Sequence, residues 1–158
     1  MRTCAGINSP PVETAHENGS FNWNLRVYFE DTDAGGIVYY ANFLRFFERC
    51  RTEWLRALGV DQGHLAQRAQ LQFVVVHAAI DYVRPARLDD ELTITARIGE
   101  RARSYLVFEQ QALRGNDVLA RARVKVACVD TRRLAPARLP VELTAALDAS
   151  HLHQERQQ

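Results

Sequence analysis

The chain has 158 residues, 47% hydrophobic and 25% charged, the profile of one globular domain long enough to bury a core without a metal or disulfide staple. Its 20 basic and 19 acidic side chains leave a formal charge of +1, which argues against a non-specific nucleic-acid binder, since that needs a basic face. Cys4, Cys50 and Cys128 are odd in number and far apart, with no CxxC, so neither a disulfide framework nor a zinc motif is supported and a reducing cytoplasm fits best.

Residues 1–20 are polar, carry Pro10, Pro11 and Gly19, and lack the apolar stretch of a signal peptide, so a disordered leader is expected. No apolar run approaches the ~18 residues of a membrane span. Over 22–29, Trp23, Leu25, Val27 and Phe29 alternate with polar partners, the period of a strand. "EDTDAGG", 30–36, has the residues of a turn. A helix over 40–58 follows, with Phe43, Phe47, Cys50, Trp54 and Leu58 on one stripe and Leu44, Phe46 and Leu55 widening it. Such breadth predicts a helix enclosed on most sides, ended by Gly59. Asp61 caps a predicted short helix over 61–69.

The period then changes to two. "FVVVHAAIDYV", 73–83, is nearly continuous in apolar residues, as in a strand buried on both faces. "ELTITARI" (91–98), "SYLVFEQQAL" (104–113) and "VLARARVKVACV" (118–129) are further strands, with "RGND" (114–117) as a hairpin turn between the last two. Ala78, Ala96, Ala120 and Ala122, on the expected inner face, leave room for the aromatic helix. A terminal helix is expected near 140–150, a frayed tail over 149–158, and a single domain over 21–148. One long apolar helix against an antiparallel meander makes the fold class α+β.

The turn carries more chemistry than turning needs. Glu30, Asp31 and Asp33 place three carboxyls in four residues, a self-repelling set unless hydrogen bonds or solvent compensate. Gly35 and Gly36 permit unusual backbone conformations and close approach by a ligand. The segment feeds a helix N-terminus, where free N–H groups favour a developing negative charge. A carboxylate beside such donors can attack a carbonyl, or activate water toward it, while the N–H groups hold the oxyanion. The plainer alternative is a polar loop that only turns the chain.

These residues resemble the hot-dog-fold acyl-CoA thioesterases of the 4-hydroxybenzoyl-CoA thioesterase type, and among them the Tol–Pal-associated acyl-CoA thioesterases. The resemblance rests on "RVYFEDTDAGGIVYYANFLRFFERCRTEWLR" (26–56), "FVVVHAAIDYVRPARLDDELTI" (73–94), "SYLVFEQ" (104–110) and "VACVD" (126–130). It implies a hot-dog fold, a five-stranded antiparallel sheet wrapped around the long helix. It also implies homodimers or homotetramers with active sites at subunit interfaces, and an acyl-CoA substrate cut without a cofactor or metal. It makes Asp33 the catalytic carboxylate, as nucleophile or as base for water, and has Tyr40 open the helix and offer its backbone N–H to the thioester oxygen. Tyr40 stands where the Tol–Pal-associated members usually carry histidine, and Phe29 where tyrosine is common. The backbone donor survives that exchange, so it bears on which acyl group is cut more than on the reaction type.

Coenzyme A brings phosphates, which arginine suits. Arg101 and Arg103 border a predicted hairpin turn and Arg132 and Arg133 follow the last strand, in loops that the resemblance places toward the nucleotide. Taken singly, each reads equally well as a solvated surface charge. His77 reads as a packed, hydrogen-bonded strand histidine, "HLH" (151–153) as frayed tail, Arg49 and Glu53 as a surface pair, and Cys50 as core. No G-x-S-x-G elbow, P-loop or G-x-G-x-x-G is present. Two other readings stay open. One is a hot-dog dehydratase, which normally needs a histidine, and none lies between His16 and His64. The other is a non-catalytic module holding acyl chains or acyl carrier protein at a membrane-associated complex.

Overall fold

The computed structural model describes residues 20–155, with side chains described to residue 150. The expected leader, apart from Ser20, lies outside the described residues, as do the side chains of 151–153 and the chain from 156 onward.

The alternating segments form five long strands: β1 (Phe21–Arg26), β2 (Leu71–Tyr82), β3 (Glu91–Arg101), β4 (Tyr105–Arg114) and β5 (Asp117–Asp130). They make one antiparallel sheet in the order β1-β3-β4-β5-β2, and a two-residue β6 (Ala135–Pro136) is added beside β5. Helix α1 is Asn42–Ala57; α2 (Gln62–His64) runs on as a π-helical turn over Leu65–Ala69; α3 is Val141–Glu155. The last helix therefore passes residue 149, into the segment expected to fray.

The local signals act as their chemistry requires. Arg114 pairs with Asp117 across a two-residue loop whose first residue, Gly115, has φ +58°, a conformation that tight hairpins demand of glycine. Asp61 accepts the His64 N–H at 3.1 Å and caps α2. The inner face of β3 (Leu92, Ile94, Ala96) and of β5 (Ala120, Ala122, Val124, Val126, Cys128) is buried, whereas Ile98 is only partly so. Against it lie Phe43, Phe46, Phe47, Cys50, Trp54 and Leu55 of α1. Trp54 stacks on Phe21 with ring centroids 6.2 Å apart and meets Phe108 edge-on at 5.8 Å. Burial pushes the Cys50 thiol up to about 12, so it is core rather than nucleophile.

Three expectations are corrected. The helix is not enclosed on most sides, since Leu44, Arg45, Glu48, Arg49 and Arg56 are exposed on its outer face. Glu53 pairs with Arg56 one turn on, not with Arg49. Strand β2 is not buried on both faces: it is an edge, with Val74, Val75, Val76, His77 and Ala78 exposed. The register sets Ala78 opposite Val124, on the inner face as expected, but α1 packs mainly over β3, β1 and β4 and covers β2 only in part, where Phe73 and Ile80 meet the core.

Candidate active site

The turn after β1 is fixed before it carries any chemistry. The Val27 N–H donates to the Asp90 carbonyl at 2.9 Å and the Asp89 N–H to the Val27 carbonyl at 3.0 Å. A 3-10 turn over Phe29–Asp31 then buries Asp31, whose Oδ2 accepts the Tyr28 N–H at 2.8 Å. The main-chain oxygen of Asp31 accepts the Tyr39 N–H and the Asn42 Nδ2, both at 2.9 Å. Asp31 is therefore a structural carboxylate. It closes the turn and ties it to the start of α1.

Asp33 is the opposite case. Its main chain is clamped, with its N–H on the Ile37 carbonyl and its carbonyl accepting the Gly36 N–H, both at 3.0 Å. Its side chain is exposed, with Oδ1 accepting the Gly35 N–H at 2.8 Å. Gly36 has φ +73°, the left-handed region that closes this loop. At Gly35 the need is space, because a Cβ there would stand 3.1 Å from Asp33 Oδ1. The far side of the turn is stitched in place as well: Val38 donates to the Ala86 carbonyl at 2.8 Å and Ile37 bridges to Arg87.

Helix α1 begins two residues after Tyr40, so Tyr40 lies in the preceding turn rather than opening the helix. The N-cap is Ala41, in helical geometry and with no side-chain cap bond. Serine, threonine or aspartate at that position would occupy one of the free N–H groups; alanine leaves them to a ligand. The Tyr39 carbonyl accepts the Asn42 N–H at 2.8 Å and so points into the helix. Across the trans peptide the Tyr40 N–H points the other way, with no acceptor among the described residues. One hairpin carries both groups, its strands tied by the Asp33 N–H on the Ile37 carbonyl and the Tyr39 N–H on the Asp31 carbonyl.

Aromatic rings surround them. Tyr40 lies against Tyr39 at 4.8 Å and against Tyr82 at 6.2 Å between centroids, and the Tyr82 hydroxyl donates to the Tyr40 carbonyl at 2.9 Å. The Tyr39 phenol is pushed up, chiefly by its hydrogen bond with Tyr40 and that neighbour's charge, then by burial and the Asp33 carboxylate.

Asp33, Gly35, Gly36 and Tyr40 are therefore brought together, but the four arginines are not with them. Tyr82, at one end of β2, touches the Tyr40 turn, while Leu71, at the other end, pairs with Asp130. A strand of 12 residues at about 3.3 Å each puts these ends roughly 35 Å apart. Arg132 and Arg133 are at the Asp130 end, where their N–H groups donate to Asp130 Oδ1 at 2.8 and 3.0 Å and hold its carboxyl below the usual range. Arg101 ends β3, where Asp148 engages it at 2.7 Å, and the Arg103 carbonyl accepts the Leu139 N–H at 2.9 Å. These arginines form a second, basic end of the sheet, far from Asp33 in the same chain.

Sequence reading passed over Tyr82, Asn42 and a buried polar pair. Arg51 Nη1 donates to Gln110 Oε1 at 2.7 Å, and Gln110 Nε2 donates to the Phe47 carbonyl at 3.1 Å. Burial lowers the Arg51 guanidinium, and with Glu48, Thr52, Phe73 and Leu143 it borders a cavity of about 80 Å³ beneath β2. Arg51 falls just off the apolar stripe of α1, which is the only trace of this pair in the sequence.

An antiparallel sheet curled on one long helix defines a hot-dog protein. The model of the thioesterase-like superfamily matches residues 27–147, and the chain belongs to that superfamily. "Acyl-CoA thioesterase YbgC" of Haemophilus influenzae is 48% identical over 130 residues, covering 82% of this chain and 95% of that one. "Acyl-CoA thioester hydrolase YbgC" of Escherichia coli O6:H1 is 42% identical over 130 residues, covering 79% and 93%. Among solved structures, a probable thioesterase from Bartonella henselae matches with a TM-score of 0.73 at 40% identity, over 77% of this chain and 99% of that one. The family resemblance read from the turn and the helix is borne out.

Proposed function

We propose that this protein hydrolyses an acyl-CoA thioester to the free acid and CoA, with Asp33 as the catalytic carboxylate and the Tyr40 N–H as the oxyanion donor. The observation that carries the reading is an exposed Asp33 carboxylate in the hairpin that leads directly into a helix start that no side chain caps. Asp33 either attacks the carbonyl carbon, giving a mixed anhydride that water opens, or removes a proton from the water that attacks. In both routes the carbonyl oxygen gains negative charge while it faces the Tyr40 N–H, and the thiolate of CoA leaves and takes up a proton. The names of the relatives support the substrate class.

The working unit in this reading is a homodimer, or a homotetramer of two such dimers, in a cytoplasmic setting. No helix among the described residues is long and apolar enough to cross a membrane. Two copies joined along β2 by a two-fold axis normal to the sheet pair antiparallel. The far end of one β2 then lies beside the Tyr82 end of the other. The basic end bearing Arg101, Arg103, Arg132 and Arg133 in one copy thereby comes toward Asp33 in the other, where CoA phosphates need it. An acyl group on acyl carrier protein presents the same thioester and enters the same test.

The test is hydrolysis of short, long and aromatic acyl-CoAs and of acyl carrier protein thioesters by the native chain and by Asp33→Asn. The variant keeps the shape and removes the charge, so hydrolysis falls by at least about a hundredfold with the oligomer intact. Near-full activity in Asp33→Asn sinks the assignment, and binding without release of CoA favours the non-catalytic module.

A further inference from the structure

We propose that Tyr82 is a positioning residue for the oxyanion donor, a role that rests on the thioesterase reading above. The start of α1 must satisfy two demands that conflict. It must be rigid, because a misplaced donor loses most of its effect on the developing charge. It must also leave its N–H groups free, which rules out the usual serine, threonine or aspartate cap. Ala41 meets the second demand and gives no help with the first.

The braces observed there leave the Tyr40 N–H unused. Asp31 takes the Tyr39 N–H and the Asn42 side-chain amide through its main-chain oxygen. Tyr82 supplies the remaining brace from the sheet, its hydroxyl donating to the Tyr40 carbonyl at 2.9 Å. Its ring is held edge-on by Phe43, 5.8 Å away, and by Tyr40. The hydroxyl is thus aimed by packing rather than by chance exposure. A donor on the Tyr40 carbonyl fixes the 40–41 peptide, and through the Tyr40 Cα shared by the two peptides it restrains the 39–40 peptide that carries the oxyanion N–H. Tyr82 lies at the end of the edge strand β2, so the brace also links the edge of the sheet to the site.

The test is Tyr82→Phe, which removes one hydroxyl and keeps the ring contacts. Thr93→Val, which removes a hydroxyl bonded to Asn24 Oδ1 at 2.8 Å between β1 and β3, serves as the control. The expected result is a fall in kcat of about tenfold or more with KM within about twofold. Amide exchange at Tyr40 and Ala41 quickens, the melting temperature moves by no more than about 4 °C, and the control changes none of these. An unchanged kcat, a loss confined to KM, or unchanged exchange at the two amides overturns the proposal. The outcomes separate from the wider reading: an active Asp33→Asn removes the thioesterase mechanism, whereas amide exchange in Tyr82→Phe still reports whether the brace holds the helix start.

Discussion

Asn42 reaches back eleven residues to Asp31, its Nδ2 donating to the Asp31 main-chain oxygen at 2.9 Å. That contact joins the two halves of the site and separates the roles of the two aspartates. Asp31 is buried and its carboxylate is spent on the Tyr28 N–H, while Asp33 is exposed and its carboxylate accepts the Gly35 N–H. Asp31→Ala therefore leaves the partly buried Tyr28 N–H unpaired and is expected to cost about 1 kcal/mol in urea unfolding. Asp33→Asn is expected to change stability little. Equal stability losses in the two variants would contradict this division.

The two glycines are expected to separate in the same manner. At Gly35 an added methyl meets the end of a flexible side chain, Asp33 Oδ1, at 3.1 Å, so Gly35→Ala displaces the carboxylate by a few tenths of an ångström. Activity falls about tenfold or more while the fold holds. At Gly36 nothing obstructs a methyl, but φ is +73°, so Gly36→Ala strains the backbone by about 1–2 kcal/mol. Kinetics set beside thermal melts tests the pair, and a Gly35→Ala variant with native kcat fails it.

What the sequence made legible was whatever depends on local period. The stripe from Phe43 to Trp54 and the alternation in β3 and β5 mark their buried faces because each residue's side is set by its immediate neighbours. The apolar run 73–83 misleads for a physical reason: a strand awaiting cover has the composition of one already covered. The turn chemistry drew attention to Glu30, Asp31, Asp33, Gly35 and Gly36 together, and only the family resemblance chose Asp33 among the three carboxyls. Tyr82 and Gln110 were not legible. Their partners, Tyr40 and Arg51, lie 42 and 59 residues away, and only the sheet order brings them together. The placement of the arginines was hidden likewise, because antiparallel strands carry residues 101–103 and 130–133 to the end opposite the Asp33 turn.

The uncovered edge leads to a prediction about assembly. Val74, Val75 and Val76 are 38%, 49% and 54% exposed on a strand with a free side, an arrangement that invites pairing with another chain. Val76→Asp places a charge in that seam without touching the core. The native chain is expected to sediment as a dimer or larger, and the variant to shift toward a folded monomer with reduced acyl-CoA hydrolysis. A monomeric native chain, or a variant of unchanged mass, would rule out β2 as the seam.

Asp90 sets how the site's support responds to acid. Its Oδ2 accepts the Arg87 N–H at 2.8 Å and Arg114 Nη1 at 2.7 Å, so it holds the 87–90 turn to the end of β4. That turn bridges to Ile37, whose carbonyl takes the Asp33 N–H. Burial alone would raise the Asp90 carboxyl, but the Arg87 N–H and the Arg114 guanidinium outweigh it and hold the group below its ordinary 3.8. A depressed carboxyl stabilises the fold fully above the ordinary value, and its contribution is lost as pH falls through the lower one. Asp90→Asn is therefore expected to be less stable than the native chain at pH 7, with the gap closing as both are titrated below pH ~3. Urea unfolding across that range measures it. A gap that stays constant into acid would show that the charge of Asp90 contributes nothing to holding the turn.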